Sequence, residues 1–408
     1  MEPIRTKRRR FLSLLAGIPG LHMIVGDREA SAVEAVLSSA LPGRDVVQEL
    51  GVRSFINAAG TFTMMTGSLM RPGVMEAMQL ASKKYVMLDE LHAAVGKRIA
   101  ELVHAPAALV TAGCASAMCL GTAACITGSD KQKMSQIPEM KGLKNEVLVQ
   151  KTHRVGYDHA IRNTGATMIE VETREELEKA INERTAMMFF LNFADPLGKI
   201  HHEEFVEIAK KHNIPTLIDA AADVPPAENL WRFTKMGFDL VAVSGGKGIR
   251  GPQSTGLLLG RKDLIAAAKL NTSPNGDTVG RTNKVNKEEI IGMLVALEGF
   301  LKEDHEAVWK DWEKRCQIIA DALKTYPDVK TEVFVPEIAN AVPHLRIDWD
   351  EKARKLTPSQ VVQKLREGTP SIEVGPNSSR RLSIGVWMME PGEDAIVAQR
   401  LSAIFAGA

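Results

Sequence analysis

The sequence predicts an α/β fold, with a mostly parallel seven-stranded sheet carrying helices on both faces and a smaller C-terminal α+β domain behind it. Three observations carry this. Seven short apolar runs, from AALVTAG to STGLLLG, alternate with amphipathic segments. Aromatics are only 5% of the chain, and the apolar residues are mainly Ala, Val, Leu, Ile and Met. That mix suits helices packed on a buried parallel sheet better than an all-β sandwich. At 408 residues and 45% hydrophobic content, the chain can bury a large core and divide into a large and a small domain.

The elements follow in order. Arg44 to Leu50 reads as a short helix leading into FINAAGT, and helical stretches follow at 72–85 and 88–104. Then AALVTAG, NEVLVQ, ATMIEV, TAMMFFL, IPTLID, DLVAVS and STGLLLG read as strands. CASAMCLGTAACI, DHAIRNTG, REELEKAI and HEEFVEIAKKHN read as helices between them. Asn271 to Asn286 is polar and Gly-rich, a loop or boundary, and Lys287 to about Thr325 is a long helical region. TEVFV, HLRIDW and RRLSIGVW, with two helical stretches, complete the small domain. The expected division is a leader at 1–32, an N-terminal segment at 33–60, a large domain at 61–286, connecting helices at 287–325 and a small domain at 326–408.

The first residues differ from the rest. A basic cluster precedes a short apolar run, and Ala30-Ser31-Ala32 is an A-x-A-like cleavage site. Arg8-Arg9-Arg10-Phe11-Leu12 resembles a twin-arginine signal, which implies export to the periplasm; a basic surface segment on a cytoplasmic protein is the alternative. Gly17, Pro19 and Gly20 break the run, so it is not a membrane anchor. Residues 1–32 hold six Lys and Arg against three acids, whereas the whole chain carries +1. The remaining body is therefore mildly acidic, with no electrostatic case for nucleic acid as a partner. None of the four cysteines forms a CxxC pair, so buried thiols are expected rather than zinc or disulfides.

The chemistry centres on SGGKGIRGPQSTG, residues 244–256, where one lysine sits among glycines between two buried-looking strands. Gly246, Gly248 and Gly251 match a dinucleotide fingerprint in spacing, but Pro252 and a strand follow where a helix is required. A P-loop fails too, since Val241 and Gly248 stand where Gly and Ser or Thr are needed. A Schiff-base lysine for pyridoxal 5'-phosphate fits. Lys247 would hold the cofactor and shuttle protons. Asp219, closing IPTLID, can protonate the pyridine nitrogen. Gly113, Cys114, Ala115 and Ser116, between a strand and a helix, would hold the phosphate on backbone N–H groups, with the Ser244 hydroxyl added. His153, just past a strand, would stack on the ring.

These residues, with FINAAGT, APAALVTAG, HRVGYDHAIRNTGATMIEVET and PTLIDAAAD, resemble the selenocysteine synthase-like family of fold-type I pyridoxal phosphate enzymes. That family includes L-seryl-tRNA(Sec) selenium transferases and D-glucosaminate-6-phosphate ammonia lyases. The resemblance covers about residues 45–405. It implies an aspartate aminotransferase-like fold, Lys247 as the Schiff-base lysine, Asp219 as the pyridinium partner, and active sites at a homodimer interface or within a larger ring. Within the family, Gly246 stands where the selenium transferase usually has aspartate, and little of the N-terminus is left for a tRNA-gripping domain. The expectation is a small amino acid substrate and α,β-elimination, an ammonia-lyase reaction on a hydroxy amino acid or amino sugar acid. Selenium-transferase-type β-replacement and ligand binding without catalysis are the alternatives. For the substrate carboxylate, Arg381 in RLSIG is the chosen cation, with Arg250 and Arg346 as rivals; the resemblance adds Asn57 and Thr61 as substrate contacts.

Overall fold

The structure, a computed structural model, describes residues 44–407. The signal-like stretch 1–32 and residues 33–43 lie outside the described residues. The described residues fall into two units divided after Ser54. In the first, the expected short helix spans Val46–Glu49, opened by the Asp45 carboxylate accepting from the Gln48 N–H at 3.0 Å.

The second unit is built on a seven-stranded sheet. Its strands are β2 (Ala107–Thr111), β3 (Glu146–Gln150), β4 (Thr167–Val171), β5 (Thr185–Leu191), β6 (Thr216–Asp219), β7 (Leu240–Ser244) and β8 (Gly256–Gly260); β1 (Ile56–Ala58) lies outside this sheet. The order is β2-β8-β7-β6-β5-β3-β4. All neighbours from β7 to β4 run parallel, while β8 is antiparallel to both β7 and β2. Each strand read from the sequence is present. Side chains alternate between two apolar layers, because successive residues of a strand point to opposite faces. Leu148, Met188, Phe190, Ile218 and Val241 enter one layer, and Val147, Val149, Met187, Phe189 and Leu217 enter the other.

The single antiparallel strand decides where the chemistry goes. Because β8 runs back beside β7, the loop 245–255 that joins them sits at the carboxyl end of the parallel strands. β6 ends there at Asp219, and β2, also antiparallel to β8, ends there at Thr111. Ligands of such sheets bind beyond the carboxyl ends of the strands.

The helical region after the polar loop is two helices, Lys287–Lys302 and His305–Leu323, separated at Glu303-Asp304, where Asp304 caps the second. Beyond them a three-stranded antiparallel sheet runs β12 (Leu382–Gly385), β10 (His344–Asp348), β9 (Lys330–Phe334). A feature absent from the sequence reading is the parallel pairing of β1 with β11 (Ile372–Val374), which ties the FINAAGT segment to the C-terminal part of the chain. Both strands are only three residues long, too short for period-two alternation to register.

Candidate active site

At the carboxyl end of the sheet lies a cavity of about 280 Å³. Its lining includes Thr61, Gly113, Cys114, Ala115, Asp219, Ser244 and Lys247. Three of the four segments meet here because β2, β6 and β7 end at the same edge, and the fourth, at Thr61, follows β1. A larger cleft of about 730 Å³, between helices Leu88–Leu102 and Lys262–Leu270, holds none of the residues selected from sequence.

The lysine loop explains its glycines by contact. A Cβ on Gly246 would lie 2.6 Å from the Gln253 carbonyl oxygen, and one on Gly248 would lie 2.7 Å from Pro225 Cδ. The loop folds back on itself at one glycine and against the segment after Asp219 at the other, with Lys247 between them. Its turn is fixed by Arg250 N–H donating to Lys247 O at 2.9 Å and Gly251 N–H to Gly245 O at 2.9 Å.

Asp219 is 5% exposed at the end of β6. Its Oδ1 accepts from the Ala221 N–H at 2.9 Å and lies 3.6 Å from Cys114 Sγ. Burial pushes the carboxyl up, and the Ala221 N–H, the Lys247 charge and the Cys114 thiol pull it back. Across the cavity, β2 passes through Ala112 into the helix Gly113–Thr127. No side chain caps this helix, so the N–H groups of its first turn are left for another acceptor. Thr61 Oγ1 is buried and has no hydrogen-bond partner.

This donor set fits pyridoxal phosphate. An uncapped helix N-terminus faces the same space as an amine and a buried carboxylate with one oxygen uncommitted. An orphaned hydroxyl adds a fourth group.

Other expected site residues lie elsewhere. His153 does not line the cavity. The chain leaves β3 through a tight turn, Lys151–His153, which drives the ring into the core edge-on to Phe190 at 4.4 Å. There the Leu191 N–H donates to Nδ1 at 3.2 Å, and burial pushes the imidazole down to about 4. His153 is thus a neutral core residue, and the ring-stacking role assigned to it is withdrawn. Tyr157, four residues on and 69% exposed, lines the cavity instead. Its turn is anchored by Asp158, whose buried carboxylate pairs with Arg154 at 2.5 Å and Arg162 at 3.0 Å.

Arg381 is also displaced. Its guanidinium is 58% exposed and paired with Asp348 at 2.9 and 2.8 Å, because it precedes β12 on the outer side of the small sheet. Arg346 pairs with Glu332 and lies over the Phe334 ring. Arg250 lines a separate cavity of about 180 Å³ with Arg71, Arg315 and Trp387, and donates to Leu69 O at 2.8 Å. Asn57 shapes rather than lines the site: its Oδ1 accepts from the Ala59 and Gly60 N–H groups at 3.0 Å, setting the turn that presents Thr61. Ser116 is buried in the helix outside the cavity lining.

Sequence reasoning missed Tyr157, Thr63, Gly67 and Gln253, all in the lining. Gln253 carried a signal, as the polar residue closing the lysine loop. Gly67 carried none, since its approach to the loop is long-range.

Comparison with known proteins gives a consistent picture. A profile described as Aminotransferase class-V matches residues 90–341, well over half the chain. The D-glucosaminate-6-phosphate ammonia lyase of Salmonella typhimurium is 28% identical over 88% of this chain and 98% of its own. The 5'-C-glycyluridine monooxygenase-decarboxylase of a Streptomyces species is 27% identical over 86% of this chain and 90% of its own. The L-seryl-tRNA(Sec) selenium transferase of Aquifex aeolicus is 24% identical over 51% of this chain and 54% of its own. A solved structure of D-glucosaminate-6-phosphate ammonia-lyase superimposes with a TM-score of 0.78 and 27% identity, covering 90% of this chain and 99% of that one.

Proposed function

The chain belongs to the class-V aminotransferase family, and from that premise we propose that it is an ammonia lyase acting on a β-hydroxy amino acid or amino sugar acid. It is a pyridoxal phosphate enzyme of fold type I. The observation that carries the reading is the convergence of Lys247, Asp219 and the uncapped helix Gly113–Thr127 on one cavity, in a chain alike over nearly its full length to a sugar-acid ammonia lyase.

When bound, pyridoxal phosphate supplies a ring that draws electrons from the carbon bearing the substrate amine. The N–H groups of Gly113 to Ser116 and the Ser244 hydroxyl would hold its phosphate, and Asp219 its ring nitrogen. Lys247 Nζ would hold it covalently at rest. Nζ, free while substrate is bound, would take the proton from Cα and supply one at Cβ, the β-hydroxyl leaving as water and one water later releasing the ammonia. Thr61 Oγ1 would orient the substrate, and Tyr157 would help exclude water; both residues are in the cavity lining. The overall change balances without net water: R–CH(OH)–CH(NH₃⁺)–COO⁻ gives R–CH₂–CO–COO⁻ and NH₄⁺.

The test is a panel of D- and L-hydroxy amino acids and amino sugar acids, with and without phosphate, assayed for both products. Equimolar ammonia and 2-keto acid is the expected result; keto acid without ammonia, or neither product, overturns the assignment. A homodimer belongs to the same proposal. It is supported by the large apolar side chains exposed between Met64 and Met87, including Leu69, Leu80 and Tyr85, and is tested by light scattering. Export of the chain, proposed from residues 1–32, is tested by N-terminal sequencing of protein recovered from the periplasm.

A further inference from the structure

The buried thiol of Cys114 has so far had no role, since the phosphate cradle uses only the backbone of that residue. Cys114 is in the cavity lining, and its sulfur lies 3.6 Å from Asp219 Oδ1. That oxygen is held from two sides, by the Cys114 thiol on the helix Gly113–Thr127 and by the Ala221 N–H on the following turn. Among the described residues both hydrogen bonds to this carboxylate fall on Oδ1 and none on Oδ2.

We propose that Cys114 is a positioning residue: its S–H clamps Oδ1 of Asp219 and so turns Oδ2 toward the cofactor's ring nitrogen. This rests on the assignment of Asp219 above. The soft rotation of an aspartate carboxylate is the one about Cβ–Cγ, and two donors on one oxygen fix it. Burial, and then the Asp219 charge, push the thiol well up, so it stays protonated and can donate. The contact also joins the two cofactor-holding segments, since the helix that would hold the phosphate carries the donor that orients the ring partner. No other side chain in the lining contacts Asp219 by hydrogen bond.

The experiment compares Cys114→Ala, which deletes the donor, with Cys114→Ser, which keeps one, in the full-length holoenzyme. Cofactor release by dialysis is measured between pH 5 and 9, with Asp219→Asn as control. The S–H is a weak donor, so its loss is expected to act like loss of one ordinary hydrogen bond and weaken pyridoxal phosphate retention about fivefold in Cys114→Ala. Cys114→Ser should stay within about twofold of wild type. Removing a donor from the charged form raises the carboxyl's proton affinity, so the acid limb of retention should move to higher pH in the alanine variant alone. Lys247 and Asp223, the other charged groups acting around this carboxyl, are unchanged in both. Wild-type retention in Cys114→Ala, or equal loss in Cys114→Ser, overturns the proposal. Wild-type retention in Asp219→Asn instead overturns the assignment of Asp219. Thermal unfolding of each variant after cofactor removal separates a packing defect, which would lower stability without moving the acid limb.

Discussion

A single methyl group placed beside the lysine tests whether the loop's glycines are required by contact. In Gly248→Ala the new Cβ would meet Pro225 Cδ at 2.7 Å and the Val224 carbonyl oxygen closer still, where ordinary contact begins at 3.4 Å. The carbonyl belongs to the backbone and has no rotamer to escape into, so the lysine loop must retreat by roughly an ångström. Overpacking of this kind costs about 1–3 kcal/mol. At about 2–4 °C per kcal/mol or less for a chain of this size, the melting temperature should fall by several degrees. Function should suffer more, because misplacing a reacting group by about 1 Å can lower the rate about 10²-fold. Gly276→Ala, with nothing within 4 Å of its added Cβ, is the control. Scanning fluorimetry gives the stability, and ammonia release at saturating substrate gives the rate. A Gly248→Ala enzyme matching Gly276→Ala in both would refute the contact argument.

Three further outcomes are expected. Lys247→Ala should abolish the borohydride-fixed cofactor adduct seen by intact mass, and an adduct that persists would move the Schiff base to another lysine. Arg381→Ala should leave KM within about twofold, because it is held in an exposed surface pair with Asp348 and lies outside the cavity lining; a tenfold rise in KM would restore it to the substrate site. His92 and His153 are buried neutral, each pushed down to about 4 chiefly by burial, so stability present above pH 6.5 is lost as the pH falls toward 4. His92→Leu, which removes two buried ring nitrogens without partners, should shrink that loss by up to about 3 kcal/mol, read as urea midpoints at pH 7 and 4.5; parallel curves would refute it.

Much of the fold was legible because its signals are local. Runs such as TAMMFFL are apolar on both faces only where a strand is covered on both sides, and β5 is buried along its whole length. The region from Lys287 to about Thr325 was legible as helical, but the place of its break was not, since two polar residues hardly disturb a helical period. Among site residues, those fixed to strand ends were found. Gly113, Asp219 and Lys247 each line the cavity within three residues of one. Those carried by turns were not. His153 and Tyr157 are four residues apart, and only the turn after β3 decides that the histidine enters the core and the tyrosine the cavity.

The sequence by itself determined the order of strands and helices and the lysine with its glycine neighbours, because period, turn chemistry and the cost of burying an amine act over a few residues. Only the tertiary structure decided which residues share the cavity. β8 must run antiparallel to β7 for the lysine loop to reach Asp219, and its pairing with β2, which brings in the helix at Gly113, joins segments more than a hundred residues apart. The same long-range packing sent Arg381 to the surface and set the Cys114 thiol against Asp219, contacts that no local pattern encodes.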